Sequence, residues 1–439
     1  MDGEGARPQA AFLDRQALYL CPDPTRVVVR PFKPATEPRD LNPTDRTRAN
    51  HIVDRVLSLD AASTDRYLAE VLENFQGRHR NLLATCEERA DGMEEVFLQH
   101  SKFSAAQRQL VGAYFLHEYS FEAAALFNPS IVAHPDQAGV EAGSCRFVLS
   151  LRAVGEGHVS SLTFRSGVVA ADGCVTVEPT VRLASIPELR KSGGPGMASD
   201  GYDLVFDAAQ DISERVIFPI TEAQSHGIED ARFVEFIGDD RRQYYATYTA
   251  YSGTAIRSEL LETRDFVTFR MHPLHGTAAR NKGMALFPRK VNGQYAMIGR
   301  QDNENLHLIY SDDLYNWGEG VMLLRPKFPW EFVQIGNCGS PIELDEGWLL
   351  LTHGVGPVRR YSIGAVLLDK VDPSRVIGRT SDPLIHPEPT QREGYVPNVV
   401  YTCGAMRHNH RIILPYAVSD SYSNFATMEV KDLLAAMGV

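Results

Sequence analysis

"LLETRDFVTF" (residues 260–269) can be laid over "LIYSDDLYNW" (308–317). Thr263 then matches Ser311, Asp265 matches Asp313, Phe266 matches Leu314, and Phe269 matches Trp317. Each stretch reads as an apolar strand ending in a Ser/Thr–x–Asp turn, where the short polar side chains accept hydrogen bonds from nearby backbone N–H groups. The aromatic that closes each stretch is expected to tuck between neighbouring sheet units. The two stretches lie about 48 residues apart, close to the roughly 50-residue period of kelch-type blades. Around them the text is uniform from Asn128 onward. Runs such as "RFVLSLRAV", "RQYYATYTAY", "YAMIGR", "WLLLTHGV" and "RIILPYAV" are short, β-branched or aromatic, and broken by Gly, Asp and Pro. Many short strands at regular spacing mean a sandwich, a barrel or a propeller, and the internal repeat selects the propeller. Residues 128–430 hold five units of roughly 60 residues, blades of ~40–50 residues plus loops. The fold expected is mainly β, a five-bladed β-propeller preceded by an α-helical N-terminal region.

That N-terminal region divides in two. Residues 1–44 are rich in Pro and Arg and form an extension with one candidate strand, "TRVVVRPF". Residues 45–127 read as helical: Ile52, Val53, Val56 and Leu57 share one face, then Leu68, Val71, Leu72 and Phe75, with "STD" at 63–65 as a helix-start signal. A third helical segment opens at Ser104 and runs through "AAQRQLVGAYFLHEYSFEAAAL". Nothing in this region looks catalytic, and it is expected to serve as a cap or as the surface of a homo-oligomer.

Composition narrows the partners. A formal charge of −12 on 439 residues argues against nucleic acid, which calls for a basic surface that displaces counterions. A neutral substrate, or an anion held in a local basic pocket, remains compatible. The six cysteines (Cys21, Cys86, Cys145, Cys174, Cys338 and Cys403) are scattered without a CxxC pair, which suits reduced thiols and offers neither a disulfide framework nor a zinc site. No apolar run approaches the ~18 residues of a membrane span, and the polar N-terminus carries no hydrophobic signal core. A cytoplasmic protein without membrane association, metal or organic cofactor is expected.

In a propeller, functional residues come from several blades at similar depth around the axis. Six clusters place polar residues within or at the ends of apolar strands: "FNPSIV" (127–132), "SLRAVGEGHVSSLTFR" (150–165), "GIEDARF" (227–233), "TAARNKGMALFPR" (277–289), "LTHGVGPVRRYSIGA" (351–365) and "LPYAVSD" (414–420). With "GSPI" at 339–342, they span about two thirds of the chain, and in content and order they resemble family 130 of the glycoside hydrolases, the β-mannoside phosphorylases and β-mannosidases.

The resemblance implies inverting cleavage of a β-mannoside oligosaccharide or mannosyl conjugate with one carboxylic acid, Asp230, which protonates the glycosidic oxygen through a mannose hydroxyl. An inverting enzyme needs its nucleophile on the opposite face of the sugar. In the phosphorylases this is inorganic phosphate, a co-substrate rather than a cofactor. The positions implied for its pocket are Arg280, Asn281, Arg300, His353 and Tyr361. Sugar recognition falls to Asn128, Ser130, Arg152, Arg165 and Asp420, with Glu229 and Arg232 beside the acid. Because adjacent strand residues point to opposite faces, Asp230 and Arg232 are expected to face the channel and Glu229 to take another task. His117 and His158 read as packed or capping histidines.

One position departs from the pattern. Where the phosphorylases carry a lysine before the Gly-rich turn, this chain has Gln334 in "WEFVQIGNCGSPI". Gln keeps a donor but loses the charge, so hydrolysis by an inverting β-mannosidase stands as the alternative, with Glu229, Asp302 or Glu304 as its water-activating base. A third reading is a propeller that binds glycans or a partner without catalysis, since fold alone does not set function.

Overall fold

In the computed structural model, which describes residues 10–35, 46–93, 103–192, 201–238 and 242–439, the two aligned stretches each end in a turn held by their Ser/Thr and Asp side chains, with Phe266 left-handed at φ 57° in the first. Thr263 Oγ1 accepts from the Phe266 N–H at 2.9 Å, and Asp265 Oδ1 accepts from the N–H groups of Val267 and Thr268, both at 2.9 Å. In the second copy Ser311 Oγ accepts from Asp313 N at 3.0 Å, and Asp313 Oδ1 accepts from Tyr315 N at 2.9 Å. Phe266, Phe269 and Trp317 are fully buried.

The β-rich part is mainly antiparallel and can be followed as five meanders, the first two joined into one eleven-stranded sheet by the parallel pairing of Gly227 with Ser160. The first contains Ala125–Ala133, Cys145–Val154, Ser160–Val169 and Val175–Val177. The second contains Gly227–Ile237, Arg242–Tyr251, Ile256–Thr263 and Thr268–Pro273, extended by Tyr202–Val205 and Glu188–Lys191. The third runs from Ala285 to Leu324 and the fourth from Gln334 to Arg379. In the fifth, Val400–Tyr401, Arg411–Val418 and Tyr422–Glu429 are joined at the edge by Asp14–Arg15.

The cores lie between consecutive meanders. Phe269 of the second packs with Phe164 of the first, and Trp317 of the third packs with Val234 and Phe236 of the second. Trp348 and Leu350 of the fourth meet Ile298 and Leu308 of the third. Leu349 and Ile363 meet Ile412 and Leu414 of the fifth. Ala417 of the fifth packs on Ala125, Phe127 and Val154 of the first, where Leu126 N donates to Ser421 O at 3.0 Å.

The structure divides the chain elsewhere than at residues 44 and 127. One compact unit holds residues 24–121 with 182–185; the other holds the rest, including the described part of residues 1–23. The extension read as 1–44 therefore splits, and parts of it (residues 1–9 and 36–44) lie outside the described residues. In the smaller unit, α1 (Arg48–Leu57), α2 (Ala61–Phe75), α3 (Leu82–Met93) and α4 (Ala105–Tyr114) carry the expected apolar faces. Ser104, where a helical segment was expected to open, is the cap of α4, but α2 starts earlier than "STD" indicated, with Asp60 as its cap. The segment after Tyr114 is not helical. Leu116–Ser120 is a strand paired with Val27–Pro31, where Val27, Val28 and Tyr119 are buried, and this pairing overrides the Ala- and Leu-rich local text.

Trp317→Ala removes a fully buried indole between two meanders. It is expected to cost about 3–5 kcal/mol, read as a lowered midpoint in urea unfolding.

Candidate active site

The site begins with two breaks in strand alternation. Strand Ala125–Ala133 shifts register between Phe127 and Ser130, and Gly227–Ile237 shifts between Glu229 and Arg232. Each bulge holds a residue in the left-handed region, Asn128 at φ 49° and Asp230 at φ 55°. Asn and Asp tolerate that conformation better than most side chains. The bulges face one another: Asn128 Nδ2 donates to Asp230 Oδ1 at 2.6 Å, and Ser130 Oγ accepts from Phe233 N at 3.0 Å.

The bulge corrects the alternation argument. Glu229 and Asp230 both line the same cavity of about 290 Å³. Arg152 bridges them, with Nη2 at 2.8 Å from Glu229 Oε1 and Nη1 at 3.5 Å from Asp230 Oδ1. Lys282 Nζ approaches Glu229 Oε2 at 3.8 Å. Arg232 lines the cavity as expected, but its Nη1 donates to the Asp230 main-chain oxygen at 3.1 Å and its Nη2 to Tyr401 Oη at 2.8 Å.

Five cations (Arg152, Arg232, Lys282, Arg300, Arg359) and three carboxylates (Glu229, Asp230, Asp420) line the cavity, a positive excess inside an acidic chain. Burial by itself would raise the Asp230 carboxyl. The charges of Arg152, Arg232 and Lys282, with the Asn128 hydrogen bond, outweigh it and hold Asp230 below its ordinary value. Asp420, also left-handed at φ 48°, goes the other way: burial dominates over the pull of Arg152, and its carboxyl is pushed up to about 7. Asp230 is therefore held toward its ionised form and Asp420 toward its protonated form. Burial, then Arg300 and Arg232, hold the His353 imidazole well below its usual range, so the ring is neutral.

Of the residues singled out from sequence, the structure brings together Asn128, Arg152, Glu229, Asp230, Arg232, Arg300, His353, Tyr361 and Asp420, along with Gln334. It places four others outside the lining. Ser130 ties the two bulged strands. Arg165 is buried against Glu122, with Nη2 at 2.9 Å from its carboxylate. Asn281 Nδ2 donates to Arg300 O at 3.0 Å and Arg280 is exposed. Of the three candidate bases only Glu229 lines the cavity. Asp302 caps a turn by accepting from Asn305 N at 2.8 Å, and Glu304 is exposed. His158 contacts the Tyr395 hydroxyl through Nδ1.

Sequence reading missed Phe127, Asn337, Arg359, Tyr395 and Tyr401, which also line the cavity. Arg359 arrives through a left-handed pair with Val358 (φ 53° and 55°), which nothing in "GPVRR" announces. Tyr401 sits in "VVYTCG", a short apolar strand whose tyrosine could have been flagged as a buried hydroxyl in need of a partner. Among the described residues, no group of three or more His, Cys, Asp or Glu side chains is placed to hold a metal ion.

Comparison with known proteins points one way. Residues 200–438 match the model of a glycoside hydrolase family, number 130, described as beta-1,4-mannooligosaccharide phosphorylase. A 1,2-beta-oligomannan phosphorylase from a Thermoanaerobacter species is 34% identical over 219 residues, covering 48% of this chain and 72% of that protein. A beta-1,2-mannobiose phosphorylase of Listeria innocua is 31% identical over 250 residues, covering 55% and 67%. The solved structure of beta-1,2-mannobiose phosphorylase from Listeria innocua, in complex with beta-1,2-mannobiose, superposes with a TM-score of 0.53 at 22% identity, covering 72% of this chain and 92% of that one, and shows a shared fold.

A carboxyl whose folded value is raised costs stability once the unfolded chain ionises it. That cost is absent at pH values below the unfolded value of about 4, grows up to about 7, and is constant above. Asp420→Asn is therefore expected to leave the thermal midpoint unchanged at pH 3.5 and to raise stability by of order 2–4 kcal/mol at pH 8; melting curves across that range check it.

Proposed function

The chain belongs to glycoside hydrolase family 130, and from that membership we propose that it is an inverting glycoside phosphorylase that cleaves β-linked mannosides with inorganic phosphate and releases mannose 1-phosphate. The relatives bearing phosphorylase names support the reaction. The observation in this chain that carries it is the cation excess around Asp230. Gln334 lines the cavity without a charge, yet Arg300, Arg232 and Lys282 still offer an anion fixed positive groups, and arginine suits bidentate oxygen contacts. Water needs no such arrangement.

Asp230 is the proposed acid, acting through a sugar hydroxyl. The free protein holds it ionised. A phosphate anion among the cations cancels part of the positive field on the carboxyl and raises its affinity for a proton. Proton donor and nucleophile thus become competent together, with the nucleophile opposite the acid as inversion requires. Asn128, Arg152, Glu229 and Asp420 are proposed to bind the cleaved mannose. Arg300, His353 and Tyr361 are proposed to face phosphate, with Asn281 acting through the Arg300 carbonyl it holds.

The architecture proposed to serve this chemistry is a five-bladed β-propeller, each meander a blade. Support comes from the cores between consecutive meanders and from the packing of the fifth on the first. The site residues fit it, since first strands of several meanders supply Asn128, Glu229, Asp230, Arg232, Gln334 and Tyr401. A cytoplasmic setting is proposed on the free thiols, two of them exposed, which persist in a reducing compartment. No helix of the described residues is long and apolar enough to cross a membrane. The exposed Tyr67, Phe75 and Tyr114 support a homo-oligomeric contact through the helical unit.

The test is incubation with β-mannobioses of each linkage, with and without phosphate. Mannose 1-phosphate appearing only with phosphate is expected, and equal turnover in phosphate-free buffer would refute the reading in favour of hydrolysis. Asp230→Asn is expected to lower kcat about 10²–10⁴-fold. Gln334→Lys is expected to lower the KM for phosphate, measured from initial rates.

A further inference from the structure

The wall of the cavity around His353 contains hydrogen-bond acceptors as well as cations. His353 lies on strand Trp348–Gly356 opposite Gly336, where a Cβ would fall 2.2 Å from the ring Cε1, so glycine leaves room for the imidazole. Tyr361 stacks on the ring at 5.7 Å and 15°, and Tyr401 meets it edge-on at 4.9 Å. Its Nδ1 is 3.1 Å from the Asn337 main-chain oxygen, which can only accept. Its Nε2 is 3.5 Å from Arg300 Nη1, which can only donate. The Asn337 oxygen and the Arg300 guanidinium assign the same tautomer: the hydrogen is on Nδ1, where Cys338 Sγ at 3.8 Å can also accept, and the lone pair is on Nε2, where it faces Arg300 in the free protein. The depressed basicity of the ring keeps it from converting to a double donor.

Asn337 adds a second acceptor. Its Nδ2 donates to Gly283 O at 2.7 Å and to Ile298 O at 3.1 Å, which fixes the amide orientation. Its Oδ1 is buried without a donor, and Arg300 Nε is buried without an acceptor. All three residues line the same cavity. An oxyanion with no hydrogen would set its lone pairs against Nε2 and Oδ1, whereas one bearing a hydroxyl can donate to them. Buried groups left unpaired are how a polar site rejects the wrong ligand.

Resting on the phosphorylase reading above, we propose that the incoming anion takes over the Arg300 hydrogen bond and so frees His353 Nε2, which with Asn337 Oδ1 accepts hydroxyl hydrogens of the anion, so that the subsite selects hydrogen phosphate over oxyanions such as sulfate that carry none. Arg300 supplies attraction common to both; the acceptors supply the discrimination. Asn337 thereby becomes a specificity-determining residue.

The test is titration calorimetry of the full chain with phosphate, arsenate and sulfate at pH 7, together with sulfate inhibition of phosphorolysis. Phosphate and arsenate, which both carry hydroxyls, are expected to bind roughly 10–100-fold more tightly than sulfate. His353→Phe keeps a ring between Tyr361 and Tyr401 and is expected to bring phosphate affinity down toward that of sulfate while leaving sulfate unchanged. Equal wild-type affinity for phosphate and sulfate overturns the proposal, as does a His353→Phe protein that loses both anions in equal proportion. The wild-type comparison stands even where the variant does not fold. Phosphate-dependent turnover with sulfate competing as well as phosphate sinks this inference alone; turnover indifferent to phosphate sinks the phosphorylase reading with it.

Discussion

The hydrogen bond from the Asn128 amide to the Asp230 carboxylate joins two β-bulges, and the rest of the site depends on it. A left-handed residue other than glycine costs roughly 1–2 kcal/mol, and here two of them oppose one another. The cross-strand bond between Ser130 and Phe233 helps offset that strain. Without the bulges, alternation would send Glu229 and Asp230 to opposite faces, and Arg152 would lose one of its two acidic neighbours.

Charge follows from this geometry. Once two carboxylates and Arg152 share a buried wall, burial disfavours every ion there, and only close opposite charge can offset it. Asp230 has Arg152, Arg232 and Lys282 near enough to keep it ionised. Asp420 has less compensation and stays near neutrality. Burial and unequal cationic neighbours thus push two acids of one type apart in proton affinity, as acid–base chemistry requires. An acidic chain concentrating cations in a single cavity is also what binding an anionic co-substrate would demand.

Legibility followed the range of the causes. The Thr263 and Ser311 turns were readable because hydroxyl, carboxylate and buried aromatic act within seven residues. The opening of α4 at Ser104 was readable for the same reason. The strand at Leu116–Ser120 was not, because its partner lies at Val27–Pro31, nearly ninety residues earlier. Among candidate site residues, family motifs located Asn128, Asp230, Arg300 and His353, but motif membership does not separate a side chain facing the cavity from one that braces it. Ser130, Arg165 and Asn281 brace. Arg359 and Tyr395 reach the cavity from loops, where local text carries little geometric information.

By itself the sequence determined the strand-and-turn period, the mainly β architecture and the family motifs in their order, since periodicity and turn chemistry are local. Tertiary structure alone decided that Glu229 turns inward beside Asp230, that the two buried acids differ in proton affinity, and that His353 presents a lone pair. Those outcomes are set by partners such as Asn128 and Asp230, 102 residues apart in the chain, whose distance and burial exist only once the meanders have packed.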